Sequence, residues 1–148
     1  MSAGGAGPLS AGGAGPTGAG DLAARQAALV AALVDGAPDP PGFAADRLAA
    51  TREALLRKRS GQAAAAWPLL AAGLGADWSA FACAVLAGRP VSGAFRDGWD
   101  VALAARSADR LTEGAGRELA ARERTHRYDG VRPPRRRLIT QVAGLFRR

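Results

Sequence analysis

The chain has 148 residues, of which 48% are hydrophobic, and a formal net charge of +7. This length predicts one domain with a single core, and because 37 of the hydrophobic residues are alanine, its helices must approach one another closely. The lone cysteine, Cys83, excludes an intrachain disulfide and is typical of a protein from a reducing cytoplasm.

The first twenty residues form a low-complexity segment that repeats the pattern SAGGAGP. Glycine and alanine offer no large apolar side chains to offset the entropy of ordering, so residues 1–20 are expected to be a disordered tail. The segment has neither a positively charged start nor a continuous apolar run, so it does not resemble a secretory signal. We therefore expect a cytoplasmic protein.

Three helices are expected in the next part of the chain. Asp21 is a candidate N-cap for the first, whose apolar residues recur at helical spacing until Gly36. The second is expected over residues 44–60, with Gly61 as its stop. The third leads up to Trp67, where the following proline forces either a kink or a new helix start.

Three more helices are expected before the basic end of the chain. Asp77 is a candidate N-cap for the fourth, which Gly88 closes, and Ser92 is a candidate N-cap for the fifth. The sixth is expected over about residues 111–128, with Gly130 after it.

The last residues, from Leu138 to Phe146, have the spacing of a short amphipathic helix with arginines on both sides. No part of the chain shows sustained β alternation. The predicted fold class is therefore all-α: a compact bundle of about six short helices over residues 21–130, with the tail over 1–20 and a basic C-terminal segment over 131–148.

The chain offers few residues for catalysis or metal binding. Cys83 and His126 are its only cysteine and histidine, which is too few for a metal site or a catalytic pair. Cys83 is expected to be a small core residue and His126 to lie on a solvated helix surface. We accordingly expect no enzyme activity, no cofactor and no metal.

Large side chains are scarce, so the aromatic residues are expected to fill the core. These residues are Trp67, Trp78, Phe81, Phe95 and Trp99. The longest uncharged apolar stretch, residues 63–76, is interrupted by proline and glycine and is shorter than the roughly 20 residues that span a bilayer. We therefore expect no transmembrane segment.

The net charge is concentrated at one end of the chain. Residues 117–148 contain ten arginines and three acidic residues, whereas residues 1–116 are balanced. Arginine and tyrosine are frequent at interaction hot spots, which makes one segment the candidate binding site. Its residues are Arg127, Tyr128, Arg132, Arg135, Arg136 and Arg137.

Four interpretations of this segment remain open. The arginines can dock on an acidic protein surface, or they can neutralise nucleic-acid phosphates in a salt-dependent manner. The segment that follows them can lie on a membrane surface as a basic amphipathic helix. The simplest alternative is that the arginines are solvated and bind nothing.

Five stretches of the sequence carry a resemblance to a known family. These are LAARQAALVAAL, RLAATREALLRK, AWPLLAAGLGADWSAFACAVLAGRP, FRDGWDVAL, and LAARERTHRYDG followed by PRRR. They resemble the small helical domain that accompanies, or is fused to, the multinuclear iron enzymes that modify ribosomally made peptides, best known from the methanobactin-biosynthesis pair.

The resemblance implies a non-catalytic partner subunit. Such a domain docks on the barrel of the iron enzyme and helps to present the precursor peptide, although members have also been labelled as DNA-binding domains. This chain has no barrel of its own and carries the glycine-rich tail, so the iron enzyme would have to be a separate protein. We expect the candidate binding residues to make that contact, with nonspecific nucleic-acid binding and membrane-surface association as the alternatives.

Overall fold

The computed structural model describes residues 17–138, and this part of the chain is mostly helical. Its elements are α1 (Thr17–Val34), α2 (Ala45–Ala66), α3 (Pro68–Leu74), a 3₁₀ turn (Gly75–Asp77), α4 (Trp78–Leu86), α5 (Ala94–Ser107), α6 (Glu113–Thr125), β1 (His126–Arg127) and β2 (Arg135–Arg136). The predicted all-α fold class is confirmed. The only sheet among the described residues has two strands of two residues each.

Helix α2 is the centre of the fold, because it packs against both α4 and α5 while α3 packs against α6. Trp67, Trp78 and Trp99 are buried, and Phe81 and Phe95 pack partly buried against them, so the predicted aromatic core is confirmed. Cys83 is only half-buried and is not one of the buried core residues, so it does not fill the core as predicted. The alanine content has the expected consequence, since α2, α4 and α5 contribute buried alanines where they meet.

Helix α5 crosses Trp67 at a distance that only glycine permits. A Cβ atom added to Gly98 would lie 2.0 Å from Cδ1 of Trp67, well inside van der Waals contact. The indole Nε1 of Trp67 donates a hydrogen bond to the Phe95 carbonyl at 2.9 Å, which fixes the ring in this position. Gly98 is thus a packing residue inside a helix, where glycine is otherwise unfavourable.

A buried ion pair joins α2 to α5. The Arg59 guanidinium donates to both carboxylate oxygens of Asp97, at 3.0 and 2.9 Å, and both side chains are more than 90% buried. Arg59 also donates to the carbonyls of Arg89 and Pro90, at 2.9 and 3.1 Å, and so fixes the connection between α4 and α5. Every charge in this pair has a partner, as burial requires.

The predicted start of the first helix is wrong. Helix α1 already begins at Thr17, so the last four residues of the predicted tail are helical and Asp21 lies inside the helix. The Asp21 carboxylate pairs with Arg25 at 3.2 Å, one turn later, instead of capping. Residues 1–16 lie outside the described part of the chain.

Gly61 does not stop a helix, because the second and third predicted helices are one helix, α2. An interior glycine costs about 1 kcal/mol relative to alanine, and the buried neighbours Ser60 and Ala63 hold the helix together across it. The predicted break at Trp67 is confirmed: α2 ends at Ala66, and Pro68 begins α3.

Two predicted caps use their side chains elsewhere. Asp77 precedes α4 but makes no capping hydrogen bond, and its carboxylate pairs with Arg110. The residue before α5 is Gly93, and the Ser92 hydroxyl donates to Asp97 at 3.3 Å.

The sixth helix, α6, is shorter than predicted, because Thr112 caps it and it ends at Thr125. The predicted final amphipathic helix lies outside the described residues apart from Leu138.

The stretch Pro68–Leu86, with a mean hydropathy of 1.6, is long and apolar enough to cross a membrane by length and composition. It is not one continuous α-helix, because Gly75, at a φ of +57°, begins the turn that separates α3 from α4. The buried side chains of this stretch, which include Leu70 and Leu86, belong to the core of the domain.

Candidate functional site

The predicted binding segment forms a short hairpin, which we call the arginine hairpin (residues 126–137). Strands β1 and β2 pair antiparallel, with His126 opposite Arg136 and Arg127 opposite Arg135. The pairing continues through a hydrogen bond of 2.9 Å from the Arg137 amide to the Thr125 carbonyl. The segment is therefore ordered by its own backbone, which sequence analysis did not predict.

The turn of the hairpin is closed by one acidic side chain. Oδ1 of Asp129 accepts hydrogen bonds from the backbone amides of Val131 at 2.9 Å and Arg132 at 2.7 Å. These two donors, that of Arg132 first, hold the pKa of the Asp129 carboxyl below its usual range. Gly130 takes a φ of +82°, which a side chain would disfavour.

Tyr128 anchors the hairpin to α5. Its hydroxyl lies 2.5 Å from Oδ1 of Asp100, to which it donates, and it accepts a hydrogen bond of 3.0 Å from Nε of Arg96. Arg96 also donates to the Val131 carbonyl at 2.7 Å, so one arginine holds both the ring and the turn. Burial, followed by the hydrogen bond to Asp100, raises the pKa of the Tyr128 hydroxyl.

Asp100 is the shared acceptor of this anchor and is itself buried. Its second oxygen pairs with Arg89 at 3.1 Å, on the connection between α4 and α5. The chain Arg89, Asp100, Tyr128 and Arg96 thus joins three parts of the fold. Arg89, Arg96 and Asp100 were not predicted as site residues, because no local sequence pattern marks contacts 11 to 35 residues apart.

Aromatic rings form the surface on which the hairpin rests. The His126 ring lies 5.1 Å from Phe95, and the Tyr128 ring lies 5.5 Å from Trp99, between ring centres. His126 is therefore half-buried in β1 and not on a solvated helix surface, so that prediction is wrong. The packing determines which way the strands face.

The strand register directs two of the hairpin arginines, Arg127 and Arg135, away from this aromatic surface. His126 faces the core, and neighbouring residues on a strand alternate between faces, so Arg127 lies on the outer face. Its cross-strand partner Arg135 lies on the same outer face. Two like charges directly opposite each other destabilise a strand pair, and a bound anion relieves that repulsion.

All six predicted binding residues line one open cavity of about 810 Å³. The five arginines are exposed, and Tyr128 is half-buried. Within residues 17–138, Arg127, Arg132, Arg135, Arg136 and Arg137 form no ion pair. Asp129 is the one acidic residue that lines the cavity, and its carboxylate is already bonded to the turn. The arrangement can bind carboxylate or phosphate groups, which suit the planar guanidinium.

No group of three or more histidine, cysteine or acidic residues in the described range is placed to hold a metal ion. Cys83 lies on α4, whereas His126 lies in β1 and packs against Phe95. The chemistry that the arginine hairpin offers is anion recognition.

Comparison with known proteins gives one match. The family model described as SCO6045-like, C-terminal domain matches residues 23–107, more than half of the chain. The matched range contains Arg89, Arg96 and Asp100, which hold the hairpin, but it ends before the hairpin itself. No curated protein and no solved structure matches the chain.

Proposed function

The chain belongs to the family SCO6045-like, C-terminal domain, and we propose that it is a non-catalytic partner subunit that docks on an acidic protein surface through the arginine hairpin. We take that partner to be the multinuclear iron enzyme that the resemblance implies, and we propose that the chain helps to present the enzyme's precursor peptide. Both would act together in the cytoplasm.

One observation supports this proposal above all: the hairpin presents five exposed arginines that have no acidic partner in the described structure. Elsewhere in the described range, nine of the twelve arginines pair with acids of the chain itself, as Arg57 does with Glu53 and Arg59 with Asp97. Guanidinium groups that line one cavity without an acidic partner are available to an external anionic surface.

The hairpin is also held in place before any partner binds. Its backbone pairing, the Tyr128 hydroxyl and the Arg96 side chain fix its position on α5. A surface that is already ordered loses less conformational entropy on binding than a flexible basic tail. This favours recognition of a specific protein surface over a purely electrostatic contact.

Nucleic-acid binding uses the same arginines and is the outcome that the experiment must separate. The net charge of residues 1–116 is zero, so the helical body offers a duplex little further attraction. Membrane-surface association depends on residues beyond 138, which lie outside the described structure. The docking interpretation depends on the hairpin alone.

The test is capture of partners by the tagged full-length protein from its native lysate, with nuclease present and absent. The variant Arg135→Glu/Arg136→Glu/Arg137→Glu is compared with Arg47→Glu/Arg57→Glu/Arg117→Glu, which changes the net charge equally at exposed sites outside the hairpin. The retained proteins are identified, and bound iron is measured.

We expect a metalloenzyme to be retained after nuclease treatment, and its affinity to fall about tenfold or more in the hairpin variant but not in the control. Loss of all captured material on nuclease treatment would assign the arginines to nucleic acid. Equal capture by the two variants would remove the hairpin from the interface.

A further inference from the structure

A second surface, distinct from the arginine hairpin, is an apolar groove between α1, α2 and the connection from α4 to α5. Its cavity has a volume of about 370 Å³, within the range of roughly 300–1,000 Å³ in which protein ligand sites fall. The apolar lining residues are Ala32, Leu33, Val34, Leu55, Leu56, Leu86, Ala87 and Val91. Among them, Val91 is 54% exposed and is therefore accessible to a ligand.

The charged groups that line this groove are all positive. Arg52, Lys58, Arg59 and Arg89 line it, and no acidic residue does. Arg59 is fully used by Asp97 and two carbonyls, and Arg52 binds the Ala32 carbonyl and Asp39. These two arginines build the wall of the groove.

The other two cations are available to a ligand. Lys58 is exposed and forms no ion pair with any described residue. The Arg89 side chain is 47% exposed, and its Nη1 atom pairs with Asp100 at 3.1 Å. An apolar floor with two accessible cations is complementary to a group that carries both a hydrophobic side chain and a carboxylate.

We propose that this groove binds a short peptide segment of a partner protein, with an apolar side chain on the floor and acidic side chains beside Lys58 and Arg89. The terminal segments of this chain do not fit that description, since residues 1–16 and 139–148 contain no acidic residue. This inference goes beyond the proposed function, because it concerns another surface and does not depend on what the hairpin binds.

The experiment is a titration of the isotope-labelled full-length protein, followed by the amide signals in NMR spectra. The probes are the capped peptides Glu-Leu-Leu-Glu, Lys-Leu-Leu-Lys and Glu-Ser-Ser-Glu. The first should shift the amides of Leu33, Leu56 and Val91 with an affinity about tenfold or more above either of the others, because only the first supplies both features.

Two variants make the test specific. Val91→Glu places a negative charge in the lining of the groove and should abolish binding of Glu-Leu-Leu-Glu. Val30→Glu changes a valine of nearly equal exposure, 57%, on α1 outside the lining and should leave it unchanged. Lys58→Glu should weaken binding, and Lys58→Arg should retain it, since neither changes the apolar floor.

Several outcomes would overturn the proposal. No shift with any peptide at millimolar concentration, or equal affinity for the serine or lysine peptide, would remove either the site or its stated chemistry. Shifts of the same amides on dilution without peptide would identify a second copy as the occupant. Shifts confined to the amides of the arginine hairpin would refute peptide binding in the groove and leave the proposed docking role standing. Such shifts should disappear in the variant Arg135→Glu/Arg136→Glu/Arg137→Glu, whereas shifts caused by binding in the groove should remain.

Discussion

Arg59 and the arginines of the hairpin show how one residue type serves two purposes in this molecule. Arg59 is 8% exposed, and four hydrogen bonds to Asp97 and two carbonyls satisfy its guanidinium. Arg127 and Arg135 lie exposed on the outer face of a strand pair, opposite each other and without an acidic partner among the described residues. Arg59 holds the fold together, whereas Arg127 and Arg135 are accessible to a ligand.

The difference shows that a count of arginines is a poor guide to function in this chain. What distinguishes the two groups is whether the protein itself supplies the acceptors. Substitutions should therefore affect stability in the interior and binding at the hairpin.

The largest effect is expected for Arg59→Met, which leaves the Asp97 carboxylate buried without its partner. Loss of one member of a buried ion pair typically costs about 3–5 kcal/mol, so the free energy of unfolding should fall by that amount. Arg57→Met is the matched control, because Arg57 pairs with Glu53 on the surface of the same helix and should cost about 0.5 kcal/mol or less. Urea denaturation of both variants measures the difference, and similar losses would contradict the contrast.

The second effect concerns the tightness of the interior around Trp67. Gly98→Ala places a Cβ atom 2.0 Å from Cδ1 of Trp67 and should destabilise the protein by about 1–3 kcal/mol, as overpacked sites do. Gly61→Ala has open space around the new atom and should stabilise α2 by about 0.5–1 kcal/mol. Thermal unfolding of the two variants should therefore shift in opposite directions, and a gain for Gly98→Ala would disprove the close approach.

The third effect tests the anchor between the two regions. Tyr128→Phe removes the hydrogen bonds to Asp100 and Arg96 and should weaken the hairpin by about 1–2 kcal/mol. Hydrogen exchange of the Arg137 amide, which is bonded to Thr125, measures this locally. Faster exchange at that amide with little change inside α2 is the expected result.

The same tyrosine gives the hairpin a pH dependence. Its pKa is raised in the folded state, so its contribution to stability is complete below the unfolded pKa of about 10 and is lost as the pH rises through the folded value. The wild-type hairpin should open as the solution becomes strongly alkaline, and the Tyr128→Phe variant should lack that component. Exchange profiles of both proteins on either side of pH 10 would show it, and identical profiles would rule it out.

The smallest effect on stability per substituted residue is expected from Arg135→Glu/Arg136→Glu/Arg137→Glu. These side chains are exposed, and substitutions at such sites usually change stability by no more than about 0.5 kcal/mol each. A loss as large as that of Arg59→Met would show that the hairpin arginines hold the fold together, and the contrast between the two groups would fail. Urea denaturation alongside the binding assay makes the comparison direct.

Local signals in the sequence were enough for the fold class and for some helix ends. The break at Trp67 was predictable because proline restricts its own backbone and that of its predecessor. Gly61 was misleading, because the packing of Ser60 and Ala63 outweighs the modest penalty of one glycine. Ser92 was the better cap by residue type, but its hydroxyl donates a hydrogen bond to the Asp97 side chain and does not cap the helix.

The candidate site was predictable only where its residues are contiguous. The hairpin arginines are close in sequence, and the structure gathers them around one cavity. The hairpin itself was missed because two-residue strands are too short to show alternation. The anchor and the apolar groove were missed because their residues come from separate elements. No local sequence pattern joins Arg89 to Asp100 or Leu33 to Val91.

Asp100 has a consequence for both surfaces together. One of its oxygens holds Arg89, which lines the groove, and the other accepts from Tyr128, which anchors the hairpin. If the groove binds an acidic peptide as proposed, a ligand that draws Arg89 away would change the charge balance at Asp100, and with it the strength of the tyrosine anchor. Linkage then works in both directions: the factor by which a groove ligand alters the affinity of the hairpin for its partner equals the factor by which that partner alters the affinity of the groove.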